Sequence, residues 1–301
     1  MRIFTDAVLN RTRNVLKSKL FRRMGFDSLL PKVLILLLFW CILNLNKRQT
    51  AVHMRKILTV SGEVKMEFIR VKTYAQLSER AAQIILAQIE KKPESVLGLA
   101  TGSTPVGTYN ELIKAYESGK ADFSNVKTVN LDEYCGLSGD NGQSYRYFMN
   151  KHLFDKVNIN KANTNIPDGT AADLEKECER YDSVIEALGG IDLQILGIGV
   201  NGHIGFNEPS DEFSHKTHVV ELDEKTRISN SRFFEKMSDV PDKAVTVGTE
   251  TIMSAEKILL LANGEAKKDI IEKAVHGEIT PRVPASILQK HKSLTVIFSE
   301  E

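Results

Sequence analysis

The chain has 301 residues, 42% of them apolar and 26% charged, with a formal net charge of +1. That length holds the core of one large or two ordinary domains, and the composition excludes a low-complexity chain, a disulfide scaffold and a collagen-like repeat. The charge is uneven: residues 1–65 carry 13 Lys/Arg against 3 Asp/Glu, a net +10, and residues 66–301 carry 27 against 36, a net −9. An acidic body of this kind offers no electrostatic footprint for nucleic acid.

The N-terminal part runs through Arg11, Arg13, Lys17, Lys19, Arg22, Arg23 and Lys32 into the apolar stretch Val33–Leu43. Even taken from Leu29 to Leu45, with Pro31 and Lys32 inside it, this stretch is shorter than the roughly 20 residues that cross a bilayer. A basic flank and a short apolar core have the form of a signal peptide's first two regions. However, Asn44, Asn46, Lys47 and Arg48 stand where a small-x-small cleavage pattern is needed. Two readings stay open: a membrane-touching arm with Lys/Arg on both sides, or a segment outside the functional protein. Met66, which opens Met-Glu-Phe-Ile-Arg-Val after Gly62-Glu63-Val64, is read as the first functional residue. The chain is thus divided into an extension, 1–65, and a body, 66–301.

In the body, short β-branched runs alternate with helical patterns, which predicts one α/β domain with a mainly parallel central sheet flanked by helices. Glu67–Val71 reads as a strand. Thr73 then caps a helix, with Gln76 at the capping-box position and Leu77, Ala81, Ile84, Ile85 and Ile89 on one face. Val96–Ala100 is an apolar strand, followed by a Gly/Thr loop and a helix near Val106–Glu117. Val126–Leu131 is the next strand, and a long helix at Asp173–Leu188 precedes the strand Leu193–Gly197. Strands near Ala244–Val247 and Lys257–Leu261, a helix at Glu265–Val275 and a last strand at Ser293–Phe298 complete the order. Ligands of such sheets bind at loops beyond the carboxyl ends of strands, where three polar clusters stand.

The first is Thr101-Gly102-Ser103-Thr104-Pro105. Small residues, hydroxyls and backbone N–H groups at a helix start suit an anion. The segment lacks a nucleotide P-loop's Gly-Lys-Ser/Thr and a dinucleotide fingerprint, so a small phosphate monoester fits better; it reads equally as a tight turn with a helix cap. The second is Asp132-Glu133-Tyr134, two carboxylates at the mouth of a strand. One of them is a candidate general base, and only one can face a given cavity because neighbouring strand side chains diverge. The plain alternative is a solvated acidic turn. The third is the run Gly197–Pro209, with His203 among glycines. Histidine exchanges a proton near neutral pH and needs a partner to fix its tautomer, a role open to Asn201 or Glu208.

No His-Glu-x-x-His or Cys-x-x-Cys spacing is present, so no metal is expected. Cys135 and Cys178 suit a reducing, cytoplasmic setting, and Cys135 reads as packing. The absence of a Gly-x-Ser-x-Gly elbow argues against an α/β-type serine hydrolase.

Together, Leu-Gly-Leu-Ala-Thr-Gly-Ser-Thr-Pro at 97–105, Asn-Leu-Asp-Glu-Tyr at 130–134 and Gly-His-Ile-Gly-Phe-Asn-Glu-Pro at 202–209 resemble glucosamine-6-phosphate deaminases. Ser229–Phe234 and Val245–Gly248 extend the likeness, which spans 66–301 and none of 1–65. The first motif is shared with 6-phosphogluconolactonases, and the run from His203 to Pro209 separates the deaminases from them. The resemblance implies a modified Rossmann-like fold and conversion of glucosamine 6-phosphate and water to fructose 6-phosphate and ammonia, without a cofactor or metal. It assigns ring opening to His203, supported by Glu208 and Asn201, and proton abstraction from C2 to Asp132, which is expected to be ionised in the substrate-free site. It places the phosphate on Thr101, Gly102, Ser103 and Thr104, with Arg232 and Lys267 supplying positive charge. The segment around His218–Val247 corresponds to a lid.

Two departures stand out. Many members have Asp where this chain has Asn201, and an amide orients a histidine without stabilising imidazolium by charge. The activated hexameric members bind N-acetylglucosamine 6-phosphate at positions that here are Asp211, Glu212, His218 and Val220. Two carboxylates and an apolar side chain cannot hold a phosphate, so no such activation and a monomer or small oligomer are expected. The competing readings are a lactonase-type sugar-phosphate hydrolase and a non-catalytic sugar-phosphate-binding regulator.

Overall fold

The structure is a computed structural model that describes residues 65–222, 227, 228, 234, 236 and 239–301. Its central sheet has seven strands, all paired in parallel: β1 (Lys65–Val71), β2 (Val96–Leu99), β3 (Lys127–Asn130), β5 (Thr164–Asn165), β6 (Leu193–Leu196), β9 (Ile258–Asn263) and β10 (Ser293–Ser299). Their order is β1-β10-β9-β6-β2-β3-β5. From β2 the chain runs outward to β3 and β5, and then returns to β6 on the other side of β2. Connections therefore diverge at the β2/β6 boundary, where an open sheet of this kind leaves a crevice.

Covering both faces of a parallel sheet demands continuous apolar strands, and β2 and β6 are buried at every position. Alternation divides the packing. Leu97 and Leu99 of β2 meet α1 (Tyr74–Lys91) and α2 (Ser103–Glu117) on one face, through Leu77, Ala81, Ile85, Tyr109 and Leu112. Val96 lies on the opposite face with Tyr181 and Ile185 of α4 (Leu174–Ala187) and Ile270, Ile271 and Ala274 of α6 (Lys268–His276). The expected cap of α1 is present: Thr73 Oγ1 accepts from the Gln76 N–H at 3.2 Å, and Gln76 Oε1 accepts from the Lys72 N–H at 2.9 Å. The helix expected at Glu265–Val275 begins as a short 3₁₀ turn, Glu265–Lys267, before α6.

Composition patterns missed a second, antiparallel sheet of β4 (Asp132–Tyr134), β8 (Lys243–Thr246) and β7 (His218–Glu221). The strand expected near Ala244–Val247 belongs to it and not to the central sheet. The chain leaves the main sheet at Leu131, so Asp132 opens the small sheet directly opposite Thr246. Also missed were the short helix α3 (Tyr145–Met149) and the single π turn, Asn150–Phe154, that follows it. The remaining short helix, α5 (Thr249–Met253), follows β8. Among the described residues, no helix is long and apolar enough to cross a membrane.

Candidate active site

Neighbouring strands β9, β6, β2 and β3 deliver their carboxyl ends side by side. The segments beyond them carry Lys267, the Gly197–Pro209 run, Thr101–Thr104 and Asp132 respectively. One edge of the sheet therefore gathers the polar clusters singled out above.

The loop after β2 turns at Gly102, whose φ of 92° lies in the region glycine adopts without a side-chain penalty. Gly102 is the N-cap of α2 and no side chain caps the helix's first turn, so the backbone N–H groups there point outward, as an anion requires. Two tyrosines fix the loop from behind. The Tyr109 hydroxyl donates to the Ala100 carbonyl at 2.6 Å, and the Tyr74 hydroxyl sits 2.9 Å from the Thr104 carbonyl while accepting from the Gly107 N–H at 2.7 Å. Lys267 Nζ donates to the Ile198 carbonyl at 2.7 Å, which brings its ammonium to the end of β6. Arg232 lies outside the described residues.

The two adjacent carboxylates have separate surroundings. Glu133, 2% exposed, accepts from the backbone N–H groups of Tyr134, Tyr145 and Arg146 at 2.9, 2.8 and 2.9 Å. It anchors the start of α3. Asp132, 6% exposed, faces the histidine loop: a Cβ on Gly205 would stand 3.5 Å from Asp132 Oδ2 and 3.1 Å from Thr246 Oγ1. Burial, reinforced by the charge of Glu133, pushes the Asp132 carboxyl up to about 8. The direction runs against the fully ionised carboxylate expected in the substrate-free site, because burial disfavours the charged form.

The histidine loop is shaped by glycine. A Cβ on Gly199 would fall 2.4–2.5 Å from three atoms of the His203 ring, so the imidazole lies directly against the backbone there. His203 Nδ1 is 3.1 Å from Glu208 Oε1, but the approach is off the line of a ring N–H and makes no aligned hydrogen bond. Catalytic contacts often have this loose geometry before substrate arrives. Asn201 plays a different part from the one expected. Its Nδ2 donates to Glu208 Oε2 at 2.6 Å and its Oδ1 accepts from the His203 backbone N–H at 3.2 Å. The amide therefore orients the carboxylate that faces the ring, and does not bond the ring itself. Asn207 locks the loop by donating to the Ile204 and Val247 carbonyls at 2.8 and 2.9 Å, and the Phe206 N–H donates to Thr246 Oγ1 at 3.1 Å.

Sequence reasoning missed Tyr145. Its ring packs on Tyr134 with centroids 4.8 Å apart and stacks on Phe206 at 6.1 Å and 8°, and burial, reinforced by Tyr134 and Asp132, pushes its phenol well above the usual range. Cys135 and Cys178 are free thiols, and burial pushes them up to about 11 and about 12, which makes them poor nucleophiles. Among the described residues, no group of three His, Cys, Asp or Glu could hold a metal ion. The segment expected to form a lid is tied at both ends by the β7/β8 ladder, from His218↔Thr246 to Glu221↔Lys243. Residues 223–226, 229–233, 235, 237 and 238 within it lie outside the description.

Residues 70–297 match the family model described as glucosamine-6-phosphate isomerases/6-phosphogluconolactonase. A glucosamine-6-phosphate deaminase of Lachnoclostridium phytofermentans is 59% identical over 232 residues, 77% of this chain and 98% of that one. One from Clostridium novyi is 56% identical over 236 residues, covering 78% and 98%. Among solved structures, a monomeric glucosamine-6-phosphate deaminase aligns with a TM-score of 0.76 at 46% identity, over 78% of this chain and 97% of that one. A 6-phosphogluconolactonase from Thermotoga maritima has a TM-score of 0.62 at 20% identity, over 79% and 100%, a likeness of fold alone. The chain therefore belongs to the glucosamine-6-phosphate isomerase/6-phosphogluconolactonase family.

Proposed function

We propose that the chain converts glucosamine 6-phosphate and water to fructose 6-phosphate and ammonia, with Asp132, His203, Glu208 and Asn201 as its working residues. The activity is that of the Lachnoclostridium relative, 59% identical over almost its whole length. The observation that carries the residue assignment is the Asn201–Glu208–His203 arrangement on a loop whose Gly205 abuts Asp132.

The substrate's phosphate lies on the backbone and hydroxyls of Thr101–Thr104, with Lys267 and Arg232 supplying cations. His203, held by Gly199 and facing Glu208, moves a proton from the anomeric hydroxyl to the ring oxygen, which opens the pyranose to the aldehyde. The ammonium on C2 then stands beside Asp132. An adjacent cation favours the carboxylate, so substrate binding offsets the upward push of burial and any proton on Asp132 is released to solvent before it acts as base. Asp132 takes the C2 proton while an ammonium proton passes to the C1 oxygen, which gives the enolamine, and Asp132 then returns its proton to C1 to give the protonated imine. Water adds to the resulting imine, and ammonia leaves. The balance closes with one water consumed and one ammonia released, and no redox or nucleotide group is needed.

The oligomer is read as a monomer or small assembly of copies, and the partner as a small sugar phosphate, not a nucleic acid or a membrane. The monomeric state named for the structure at 46% identity supports this. So does Asp211, which forms an exposed ion pair with Arg282 where the activated members place a phosphate-binding group. Activity is assigned to residues 66–301, which include the whole matched region, in the cytoplasm. A chain beginning at Met66 is expected to release ammonia from glucosamine 6-phosphate at the rate of the full chain and to leave 6-phosphogluconolactone untouched. Lactone hydrolysis without ammonia would overturn the assignment.

Gly199→Ala is expected to lower kcat by about 10- to 100-fold, because a displaced catalytic group loses that much for about 1 Å of misplacement. The affected atoms belong to one partly exposed loop side chain, so thermal stability should change little. A melting curve beside the ammonia assay checks both.

A further inference from the structure

We propose that Thr246 is a positioning residue for the base: its hydroxyl, set directly across the small sheet from Asp132, donates to the Asp132 carboxylate and holds it for proton transfer between C2 and C1. The inference rests on the reading of Asp132 as the base. It assigns a second residue of the small sheet to that step.

The placement follows from backbone register. Asp132 of β4 and Thr246 of β8 are direct partners in the antiparallel ladder. Backbone bonds join nearby pairs of the same ladder: the Val247 N–H donates to the Leu131 carbonyl at 2.8 Å, and the Cys135 N–H to the Lys243 carbonyl at 3.0 Å. Bonded and non-bonded pairs alternate along such a ladder. Asp132 and Thr246 therefore form a non-bonded pair, the closer kind, with Cα atoms about 4.5 Å apart and side chains on one face. Gly205 locates that face: the position of a Cβ on it lies 3.1 Å from Thr246 Oγ1 and 3.5 Å from Asp132 Oδ2. Both polar atoms border the same small space beside the histidine loop.

Hydrogen bonding leaves these two groups for each other. Thr246 is fully buried, and its oxygen accepts from the Phe206 N–H at 3.1 Å. An accepting hydroxyl keeps its proton to donate. That proton has no acceptor among the described residues, although buried polar groups are normally paired. The Asp132 carboxyl feels burial and Glu133 and has no donor among the described residues. Neighbouring donors are engaged elsewhere. Asn207 gives its amide hydrogens to the Ile204 and Val247 carbonyls, and the Tyr181 hydroxyl donates to the Asn130 carbonyl at 2.8 Å. Glu133, on the same strand, is turned to the first N–H groups of α3. Tyr145, packed on Tyr134 and Phe206, is the competing donor, which Tyr145→Phe tests. When Asp132 ionises, the Thr246 proton supplies a charge-assisted bond to one carboxylate oxygen. The other oxygen is then presented to C2, and to C1 on the return, without swinging away.

The test is the isotope effect on ammonia release from glucosamine 6-phosphate carrying deuterium at C2. Thr246→Val keeps the shape of the side chain and removes the donor. Its kcat is expected to fall by about 10- to 100-fold, the worth of a hydrogen bond to a charged group, with KM changed by less than about threefold. Its C2 isotope effect is expected to exceed the wild-type value, because proton abstraction becomes slower relative to the other steps. Thr246→Ser, which restores the hydroxyl, is expected to recover most of the loss. The valine also deprives the Phe206 N–H of its acceptor. A histidine loop shifted by that loss would slow ring opening, which breaks no C2–H bond and does not raise the isotope effect. An unchanged or smaller effect in Thr246→Val therefore overturns the inference, as does a serine variant as slow as the valine one, or a raised effect confined to Tyr145→Phe. If Thr246→Val does not fold, Thr246→Cys, a much weaker donor, is read by the same criteria. Asp132→Asn separates the two levels. If that variant still turns over, the reading of the base fails; if it is inactive and Thr246→Val keeps the wild-type isotope effect, only the role of Thr246 fails.

Discussion

Exchange of His203 for Gln is expected to lower kcat by about 10²–10⁴, the usual worth of a positioned acid–base group. Glutamine can fill the space against Gly199 and bond Glu208, yet it cannot take and give a proton near neutral pH. The lost step is ring opening, which also proceeds slowly in water. The residual rate should therefore stop rising in proportion to enzyme concentration once spontaneous opening limits the supply of aldehyde. A rate that stays proportional to enzyme, at a level near wild type, would assign ring opening elsewhere. Thermal unfolding of the variant should match wild type, because the ring is partly exposed and its Nδ1 makes no aligned hydrogen bond.

Asp132→Asn combines a large loss with a gain. Removing the base is expected to cost kcat about 10³ or more, within the range for a single proton-transfer group. Stability should move the other way. The folded carboxyl is pushed up to about 8 from an ordinary 3.8, so folding requires uptake of a proton between those values. That requirement disfavours the folded state increasingly as pH rises from about 4 to about 8, and is absent below both values. The neutral amide removes it. The melting temperature of Asp132→Asn should therefore exceed that of wild type, by more at about pH 8 than at about pH 5. Equal differences at the two pH values would show that Asp132 is not held neutral by burial.

The parts of this molecule that could be read in advance are those written by local rules. Val96–Leu99 is apolar at every position because both faces of a parallel strand are covered, and Thr73 with Gln76 marks a helix start by chemistry contained in four residues. The histidine run could be read because Gly199, Gly202 and Gly205 stand beside His203 and Glu208. What could not be read depends on contacts distant in sequence. Alternation says that Asp132 and Glu133 diverge but not which one faces the site. That is decided by α3, whose first N–H groups lie 12 and 13 positions further on and need a carboxylate. Tyr145 carries no motif, and its place depends on stacking against Phe206, 61 positions away. The small antiparallel sheet was hidden because β4, β7 and β8 are short and meet across long connections. The displaced ionisation of Asp132 follows from its burial, which no neighbour in sequence announces. Asn201 was identified as a partner of His203, while its reach to Glu208 follows from the turn at Gly202.

Calorimetric titration of the Asp132→Asn protein with glucosamine 6-phosphate, beside an ammonia assay on the same sample, tests most directly whether Asp132 is the base. Since phosphate binding and ring opening use other residues, the variant is expected to bind the sugar phosphate within a few-fold of the wild-type KM while releasing almost no ammonia. Ammonia release within about tenfold of the wild-type rate would mean that another group removes the C2 proton, and would contradict the account.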